Sequence, residues 1–93
     1  MSIQSFQCMD TASFFDGCRV KRFESFERVA MRKLAMLDAA KVLQDLRIPP
    51  GNRLEALAGD RRGQHSIRIN DQFRVCFIWL DVGPAAVEIC DYH

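Results

Sequence analysis

The stretch from Gln64 to Trp79 constrains the fold most, because apolar and polar side chains alternate along both of its halves. A period of two is typical of strands that bury one face of a sheet. The pattern predicts two strands joined by a tight turn at Asn70-Asp71-Gln72. The predicted inward residues are Ile67 and Ile69 on the first strand, and Phe73, Val75, Phe77 and Trp79 on the second.

The length of the turn follows from the same pattern. A slip of one residue would move every side chain of a strand to the other face, so the two apolar sets share a face only if the turn has an odd number of residues. A three-residue turn meets this condition and places Arg68 directly opposite Arg74. Like charges at opposed strand positions repel. We therefore expect an anionic group beside these two arginines, which is the first indication of function.

The length and composition favour one folded domain over residues 1–93. The apolar fraction of 48% is that of a globular chain rather than a disordered one. The first ten residues have neither a basic start nor a long apolar run, and no apolar run approaches the roughly 20 residues of a membrane helix. We therefore expect a cytoplasmic protein that does not contact a membrane.

The cysteines do not form a metal-binding pattern. They are Cys8, Cys18, Cys76 and Cys90, with neither a Cys-x-x-Cys pair nor a histidine-rich partner segment. In a reducing compartment this spacing favours free thiols that pack as small hydrophobic groups. We expect no metal and no cofactor. A catalytic thiol is the alternative interpretation.

The first half of the chain contains the helical signals. Residues 2–6 alternate weakly and suggest a short strand, and Asp10 suggests an N-cap for a helix over residues 11–16. A main helix is predicted from Glu24 or Ser25 to about Leu37, and Asp38 is predicted to cap a second helix over residues 39–46. The apolar stripe of the main helix is Phe26, Val29, Ala30, Leu34 and Leu37, and its polar residues Glu27, Arg28, Arg32 and Lys33 lie mostly off that stripe.

The second half contains the strand signals. Two consecutive prolines end helical structure before a short strand predicted over residues 53–57. After the central hairpin, a turn at residues 81–84 precedes a last strand over 86–93, with Val87 and Ile89 facing inward. The elements together predict an α+β fold in which N-terminal helices pack on a small twisted antiparallel sheet.

Charge is unevenly distributed along the chain. The segment from Arg47 to Arg74 contains six arginines and no lysine against three acidic residues, whereas after Leu80 there are acidic residues but no lysine or arginine. The planar guanidinium group suits bidentate contact with phosphate. An ordinary solvated basic surface would have the same composition, so composition alone does not decide between the two interpretations.

The end of the chain adds groups that can transfer protons. On the last strand, Tyr92 is expected on the face opposite Val87, which is the face of Arg68 and Arg74 if the strands pair directly. Asp91 and His93 would point the other way in an ideal strand, but terminal residues can splay. Arginine can stabilise a pentacoordinate phosphate, and tyrosine or histidine can exchange protons with a ribose hydroxyl or a leaving oxygen. The alternative is a tyrosine that packs at the strand end and a histidine on the surface.

Several segments together resemble the HigB-type toxins of the RelE/ParE superfamily of bacterial toxin–antitoxin systems. The resemblance is carried by residues 50–57, 59–60, 63–72 and 74–77 and by the ending Val87-Glu-Ile-Cys-Asp-Tyr-His93, and it extends to residues 30–40 on the predicted helices. It covers almost the whole chain.

The resemblance implies a RelE/ParE-like fold and a metal-independent, ribosome-dependent mRNA endonuclease that blocks translation and arrests growth. It implies neutralisation by a HigA-type helix-turn-helix antitoxin, through which the complex would bind operator DNA. By motif, it assigns phosphate stabilisation to Arg74 and a terminal catalytic group to Asp91, Tyr92 and His93. It assigns contact with the 70S ribosome or the mRNA to Arg53, Arg61, Arg62 and Arg68.

The chain departs from the family pattern in the segment from Leu54 to Gly59, where many relatives carry histidine or lysine and this chain has Glu55 and Ala58. The missing cation would weaken catalysis or move proton transfer to Tyr92, His93 or Glu55. Two other hypotheses remain open at this point. One is a ParE-like inhibitor of DNA gyrase without nuclease activity, and the other is a degenerate toxin that only binds its antitoxin or the ribosome.

Overall fold

Two helices pack on a four-stranded antiparallel sheet in the computed structural model, which describes residues 2–91. The helices are α1 (Met9–Phe15) and α2 (Glu27–Ala39), and the strands are β1 (Glu55–Ala56), β2 (His65–Arg68), β3 (Phe73–Leu80) and β4 (Gly83–Asp91). Short 3-10 helices span Lys21–Phe26, Leu43–Arg47, Pro50–Asn52 and Gly59–Arg61. The strands lie in chain order across the sheet. The α+β prediction is confirmed.

The central hairpin has the predicted register. Ile67 pairs with Val75, and Arg68 pairs with Arg74. The turn between the strands is stabilised by the Asn70 side chain, whose Oδ1 accepts backbone N–H bonds from Gln72 at 2.9 Å and from Phe73 at 2.7 Å. An asparagine can stabilise a turn in this way because its short side chain reaches the backbone two or three residues on.

The core lies between the helices and the sheet face that the apolar alternation predicted. Its fully buried members include Leu34 and Leu37 from α2 and Ile67, Val75, Phe77 and Val87 from the strands. Burying one such side chain stabilises the fold by roughly 1.5–3 kcal/mol. Because this face is filled by hydrophobic packing, polar chemistry is left to the other face of the sheet.

The helix boundaries differ from those predicted. α1 begins at Met9, so Asp10 lies in its first turn and is not the N-cap. α2 begins at Glu27, because the preceding residues form a tighter 3-10 turn that buries Phe23 and Phe26. The predicted helix over residues 39–46 is wrong. Asp38 lies inside α2, where its Oδ1 accepts the Ile3 N–H at 2.9 Å, so this carboxylate anchors the N-terminal segment instead of capping a helix.

The two edges of the sheet also differ from the prediction. Residues 2–6 do not form a regular strand: Phe6 makes a single parallel bridge to Val87, next to a β-bulge where Ala86 has φ 50°. At the other edge, β1 has only two residues instead of the predicted five. Arg53 adopts a left-handed conformation with φ 47° and turns the chain before pairing with β2 begins. No helix within residues 2–91 combines the length and hydrophobicity that crossing a membrane requires.

Candidate functional site

The sheet face opposite the core, which we call the site face, contains most of the predicted functional strand residues. Because side chains alternate along a strand, the residues between the core positions face this side. The register aligns them in two rows across the strands: Glu55, Ser66, Cys76 and Glu88 in one, and Arg68, Arg74 and Cys90 in the other.

Among residues 2–91, three groups on the site face and the adjoining loop hold Arg74. Its Nε donates to the Ser66 hydroxyl at 2.7 Å, and its Nη2 donates to the Arg53 carbonyl oxygen at 2.8 Å. The Glu55 carboxylate lies 3.2 Å from the same Nη2. The residue is only 9% exposed. Hydrogen bonds from two directions fix the plane of the guanidinium group, which is the preorganisation that binding an oxyanion requires.

Glu55 is the residue that the sequence presented as a departure from the family pattern, and it is a direct neighbour of Arg74. Its side chain is 50% exposed, so a substrate can reach the carboxylate while the guanidinium stays beneath it. A carboxylate oxygen within reach of a substrate can accept a proton. The pair therefore offers an oxyanion-binding group and a proton acceptor in one place.

Arg68 is paired with a carboxylate of the turn. Its Nη2 contacts the Asp71 Oδ1, and the Asp71 side chain is fully exposed. The predicted anionic groups beside the two opposed arginines are therefore present within the chain: Asp71 for Arg68 and Glu55 for Arg74. An ion pair so open to solvent is weak, so an incoming phosphate can replace Asp71 at little cost.

Arg61 has a structural contact that the sequence did not reveal. Its Nη1 donates to the Glu88 carboxylate at 2.9 Å and to the Gln64 side-chain oxygen at 3.1 Å. The bond with Glu88 raises the pKa of Arg61. Arg61 thus ties the connection between β1 and β2 to β4. Arg53 and Arg62 are exposed.

Two thiols lie on the site face as a pair. Cys76 and Cys90 are both buried and pack with Leu57, and all four cysteines are free, as predicted. A hydrogen bond between the two thiols lowers the pKa of Cys76 and raises that of Cys90, whose burial raises it further. Within residues 2–91, no three His, Cys, Asp or Glu side chains are grouped as a metal site would require.

The terminal group is described only in part. Asp91 pairs with Phe73 in the register, and its Oδ2 accepts a hydrogen bond from the Gln72 side chain at 3.0 Å. Tyr92 and His93 lie outside the described residues. The structure therefore brings together Arg74, Arg68 and Glu55, and it places Asp91 at the neighbouring strand end.

Sequence reasoning missed a buried lysine. Lys33 was expected off the apolar stripe of α2, but it is only 6% exposed, and its Nζ donates to the Asn52 side-chain oxygen. Asn52 in turn donates to the Leu46 carbonyl oxygen at 3.1 Å. Burial lowers the pKa of Lys33, and the nearby charges of Arg32 and Arg68 lower it further. The available signal was spacing, because Lys33 lies three residues from the buried Ala30.

The sequence matches a known family over nearly its full length. The family model described as the RelE-like toxin of the type II toxin–antitoxin system HigB matches residues 5–93. Toxin HigB-1 of Vibrio cholerae is 54% identical over 69 residues, which are 74% of this chain and 72% of that protein. An uncharacterized protein of Haemophilus influenzae is 42% identical over 50 residues, which are 54% of this chain and 50% of that protein.

Solved structures share the fold at much lower sequence identity. The YoeB dimer of Staphylococcus aureus superposes with a TM-score of 0.58 at 18% identity, covering 100% of this chain and 97% of that one. A YoeB/ParE toxin of Agrobacterium tumefaciens superposes with a TM-score of 0.54 at 17% identity, covering 100% of this chain and 99% of that one. These similarities support the RelE/ParE-like architecture.

Proposed function

The chain belongs to the HigB family of RelE-like toxins of type II toxin–antitoxin systems, and from this premise we propose that it is an endoribonuclease that cleaves mRNA on the ribosome. The observation that carries the proposal is the Arg74–Glu55 pair, a preorganised guanidinium beside a solvent-accessible carboxylate. Cleavage of mRNA in this setting blocks translation and arrests growth.

The proposed reaction is an internal transfer at one phosphodiester. The ribose 2′-oxygen attacks phosphorus and forms a 2′-O–P bond, while the bond to the 5′-oxygen of the next nucleotide breaks. The 2′-hydroxyl loses a proton to a base, and the departing oxygen gains one from an acid. Each proton transfer by a positioned side chain contributes roughly 10²–10⁴-fold to the rate. The products are a 2′,3′-cyclic phosphate and a free 5′-hydroxyl.

Arg74 and Glu55 have different roles in the first step. Arg74 stabilises the additional negative charge on the phosphorane oxygens, since Ser66 and the Arg53 carbonyl already fix its direction. Glu55 accepts the 2′-hydroxyl proton, because it is the carboxylate next to Arg74 and half of its surface is open. In this proposal a carboxylate replaces the histidine or lysine of many relatives.

The remaining predicted residues complete the proposal. Asp91, Tyr92 and His93 form the terminal group that donates the proton to the leaving oxygen. Arg53, Arg62 and Arg68 contact the ribosome or the mRNA, and Arg61 supports the same surface from its bond with Glu88. None of these steps requires a metal ion or a cofactor.

The proposed partner in the cell is a HigA-type antitoxin with a helix-turn-helix. Neutralisation by a separate antitoxin protein is what defines a type II system, which is the basis of this part of the proposal. The antitoxin would also provide the DNA contact, so that operator DNA is bound by the complex and not by this chain alone.

The decisive experiment is reconstituted cleavage. Purified chain is added to 70S ribosomes programmed with a defined mRNA, and 5′ ends are mapped by primer extension, with a parallel reaction lacking ribosomes. We expect new ends only with ribosomes, and a 2′,3′-cyclic phosphate on the upstream fragment. Intact mRNA together with inhibition of gyrase in a supercoiling assay would replace the proposal with the ParE-like hypothesis. Intact mRNA with ribosome binding alone would indicate a degenerate toxin.

A further inference from the structure

Two buried cysteines meet across β3 and β4 on the site face. Cys76 lies opposite Glu88 and Cys90 lies opposite Arg74, so the two cysteines are diagonal neighbours on one face of the sheet. They belong to one buried cluster with Leu57. The Cys90 Sγ lies 3.9 Å from the Glu88 carbonyl oxygen, so it leans back along β4 toward the position that faces Cys76. We call Cys76 and Cys90 the thiol pair.

The thiol pair lies beside the groups that orient Arg74. Cys76 is the cross-strand partner of Ser66, whose hydroxyl accepts the hydrogen bond from the Arg74 Nε at 2.7 Å. Cys90 is the cross-strand partner of Arg74 itself. A change in the spacing of the two sulfur atoms therefore moves both Arg74 and the hydroxyl that orients it.

The two thiols also differ in reactivity. The hydrogen bond from Cys90 lowers the pKa of Cys76, and the positive charge of Arg61 lowers it further, against the effect of burial. The same hydrogen bond and burial raise the pKa of Cys90. The thiolate is the nucleophile toward oxidants, and a neighbouring thiol can then resolve the oxidised sulfur. Cys76 is thus the attacking thiol and Cys90 the resolving one.

Access to the thiol pair depends on the segment that covers it. Leu57 follows the two-residue strand β1, and its N–H donates to the Gln64 carbonyl oxygen at 2.9 Å. Both residues of β1 are exposed. An edge this short opens locally at low free energy, which admits a molecule as small as a hydroperoxide. Because Glu55 lies on β1, the segment that covers the thiols also carries the proposed base.

We propose that Cys76 and Cys90 form an oxidation site, in which a hydroperoxide converts the thiol pair to a reversible disulfide that lowers the activity of the site face. The Cys76 thiolate attacks one peroxide oxygen, the O–O bond breaks, and the leaving hydroxide takes up a proton to become water. The Cys90 sulfur then attacks the Cys76 sulfenic acid, so that the S–S bond forms and the S–O bond breaks, and the Cys90 proton leaves with the hydroxide as a second water. A thiol reductant restores both thiols by exchange. The effect on activity rests on the proposed function, whereas formation of the disulfide does not.

The disulfide alters the site because it draws β3 and β4 together. Diagonal cross-strand neighbours usually have Cα atoms roughly 7–8 Å apart, whereas a disulfide usually joins Cα atoms about 4.4–6.8 Å apart. The β-bulge next to Cys76 interrupts the ladder between the two strands, so β4 can shift at this point. A displacement of about 1 Å can lower the rate of a catalysed reaction by about 10²-fold, and we expect a loss of this size.

The first arm of the test detects the disulfide in the full chain with Cys8→Ser and Cys18→Ser, which retains the thiol pair and no other cysteine. The protein is treated with hydrogen peroxide at neutral pH and unfolded, and its remaining thiols are blocked with N-ethylmaleimide. Trypsin then releases both cysteines in one peptide, residues 75–93. We expect this peptide to carry no maleimide and to be two hydrogen atoms lighter than its reduced form. Dithiothreitol added before the maleimide should restore two blocked thiols.

Matched controls separate the thiol pair from general oxidation. Cys76→Ala in the same background removes the attacking thiol, so Cys90 should remain reduced and be blocked by maleimide. The wild type yields the same peptide, which keeps the test decisive if a variant does not fold. Oxidation confined to Cys8 and Cys18 in the wild type, with Cys76 and Cys90 both blocked by maleimide, would overturn the proposal.

The second arm measures mRNA cleavage on programmed ribosomes before oxidation, after oxidation and after reduction, with catalase added to remove peroxide before the ribosomes. We expect cleavage to fall by about 10²-fold in step with the fraction of disulfide and to recover with dithiothreitol. The rate of Cys76→Ala should not respond to peroxide. A disulfide that leaves cleavage unchanged would keep the oxidation site and overturn its link to the site face. A reduced chain that cleaves nothing would contradict the proposed function, and the first arm would still decide whether the disulfide forms.

Discussion

The Glu55 carboxylate lies 3.2 Å from the Arg74 guanidinium, on a strand of only two residues at the edge of the sheet. The Glu55 side chain is 50% exposed and that of Arg74 only 10%, so the carboxylate is the more accessible member of the pair. In the proposed reaction, a substrate phosphate at Arg74 would compete with Glu55 for the same cation. The displaced carboxylate would then lie next to the reacting ribose, where it could accept a proton.

The first prediction concerns Glu55. Replacing it with glutamine keeps the shape and removes the proton acceptor, so we expect single-turnover mRNA cleavage to fall by about 10²–10⁴-fold, measured by primer extension on programmed ribosomes. Glu24→Gln, at an exposed position in the 3-10 helix before α2, should cleave at the wild-type rate. Unchanged cleavage by Glu55→Gln would move the base to Asp91, Tyr92 or His93.

The second prediction concerns the orientation of Arg74. Ser66→Ala removes the acceptor at 2.7 Å from Nε while leaving the charge in place. We expect a lower cleavage rate with little change in ribosome affinity, because the hydroxyl directs the guanidinium without contacting RNA. Arg74→Ala should abolish cleavage. The measurement is the cleavage rate at saturating and at limiting ribosome concentrations. A wild-type rate in Ser66→Ala would show that the other contacts of Arg74 are enough to orient its guanidinium group.

The third prediction separates two neighbouring arginines. Arg61 is hydrogen-bonded to Glu88 and Gln64, so Arg61→Gln should lower the free energy of unfolding by about 1 kcal/mol. Arg62 is exposed, and Arg62→Gln should change the free energy of unfolding by no more than about 0.5 kcal/mol. Urea denaturation measures both. Equal losses would mean that the Arg61–Glu88 bond contributes nothing measurable.

The fourth prediction concerns thiol reactivity. Cys18 is exposed, whereas Cys76 and Cys90 are buried as a hydrogen-bonded pair, and the raised pKa of Cys90 keeps it protonated. An alkylating reagent at neutral pH should therefore label Cys18 within minutes and the buried pair only when the chain opens. Peptide mass spectrometry over time gives the rate at each position. Fast labelling of Cys76 would mean that the cover formed by Leu57 opens readily.

The fifth prediction concerns pH. Because burial lowers the pKa of Lys33, and Arg32 and Arg68 lower it further, the unfolded chain holds more protons than the folded chain just below the ordinary lysine pKa. The free energy of unfolding therefore rises with pH in that range. Lys33→Met lacks this titrating group. The wild type should therefore gain stability relative to Lys33→Met as the pH is raised from neutral. Parallel curves for the two proteins would contradict the lowered pKa, and Lys41→Met is the control.

Local alternation determined the centre of the fold. The two apolar sets around the turn at residues 70–72 required an odd loop, and this alone placed Arg68 opposite Arg74 and both on the face away from the core. The inward positions of Val87 and Ile89 followed in the same way. These predictions depend only on the alternation of side chains along an extended backbone, which can be read from the local sequence of each strand.

Long-range contacts decided the rest. Asp38 has the sequence context of a helix cap, but its carboxylate accepts a hydrogen bond from the backbone N–H of Ile3, 35 residues away. Arg61 and Arg62 are alike in sequence, yet only Arg61 reaches a carboxylate on β4. In the sequence, Glu55 stands where a cation was expected, whereas in the structure it forms an ion pair with Arg74. A charged side chain finds its partner through space, so its role is set by tertiary packing that no local pattern contains.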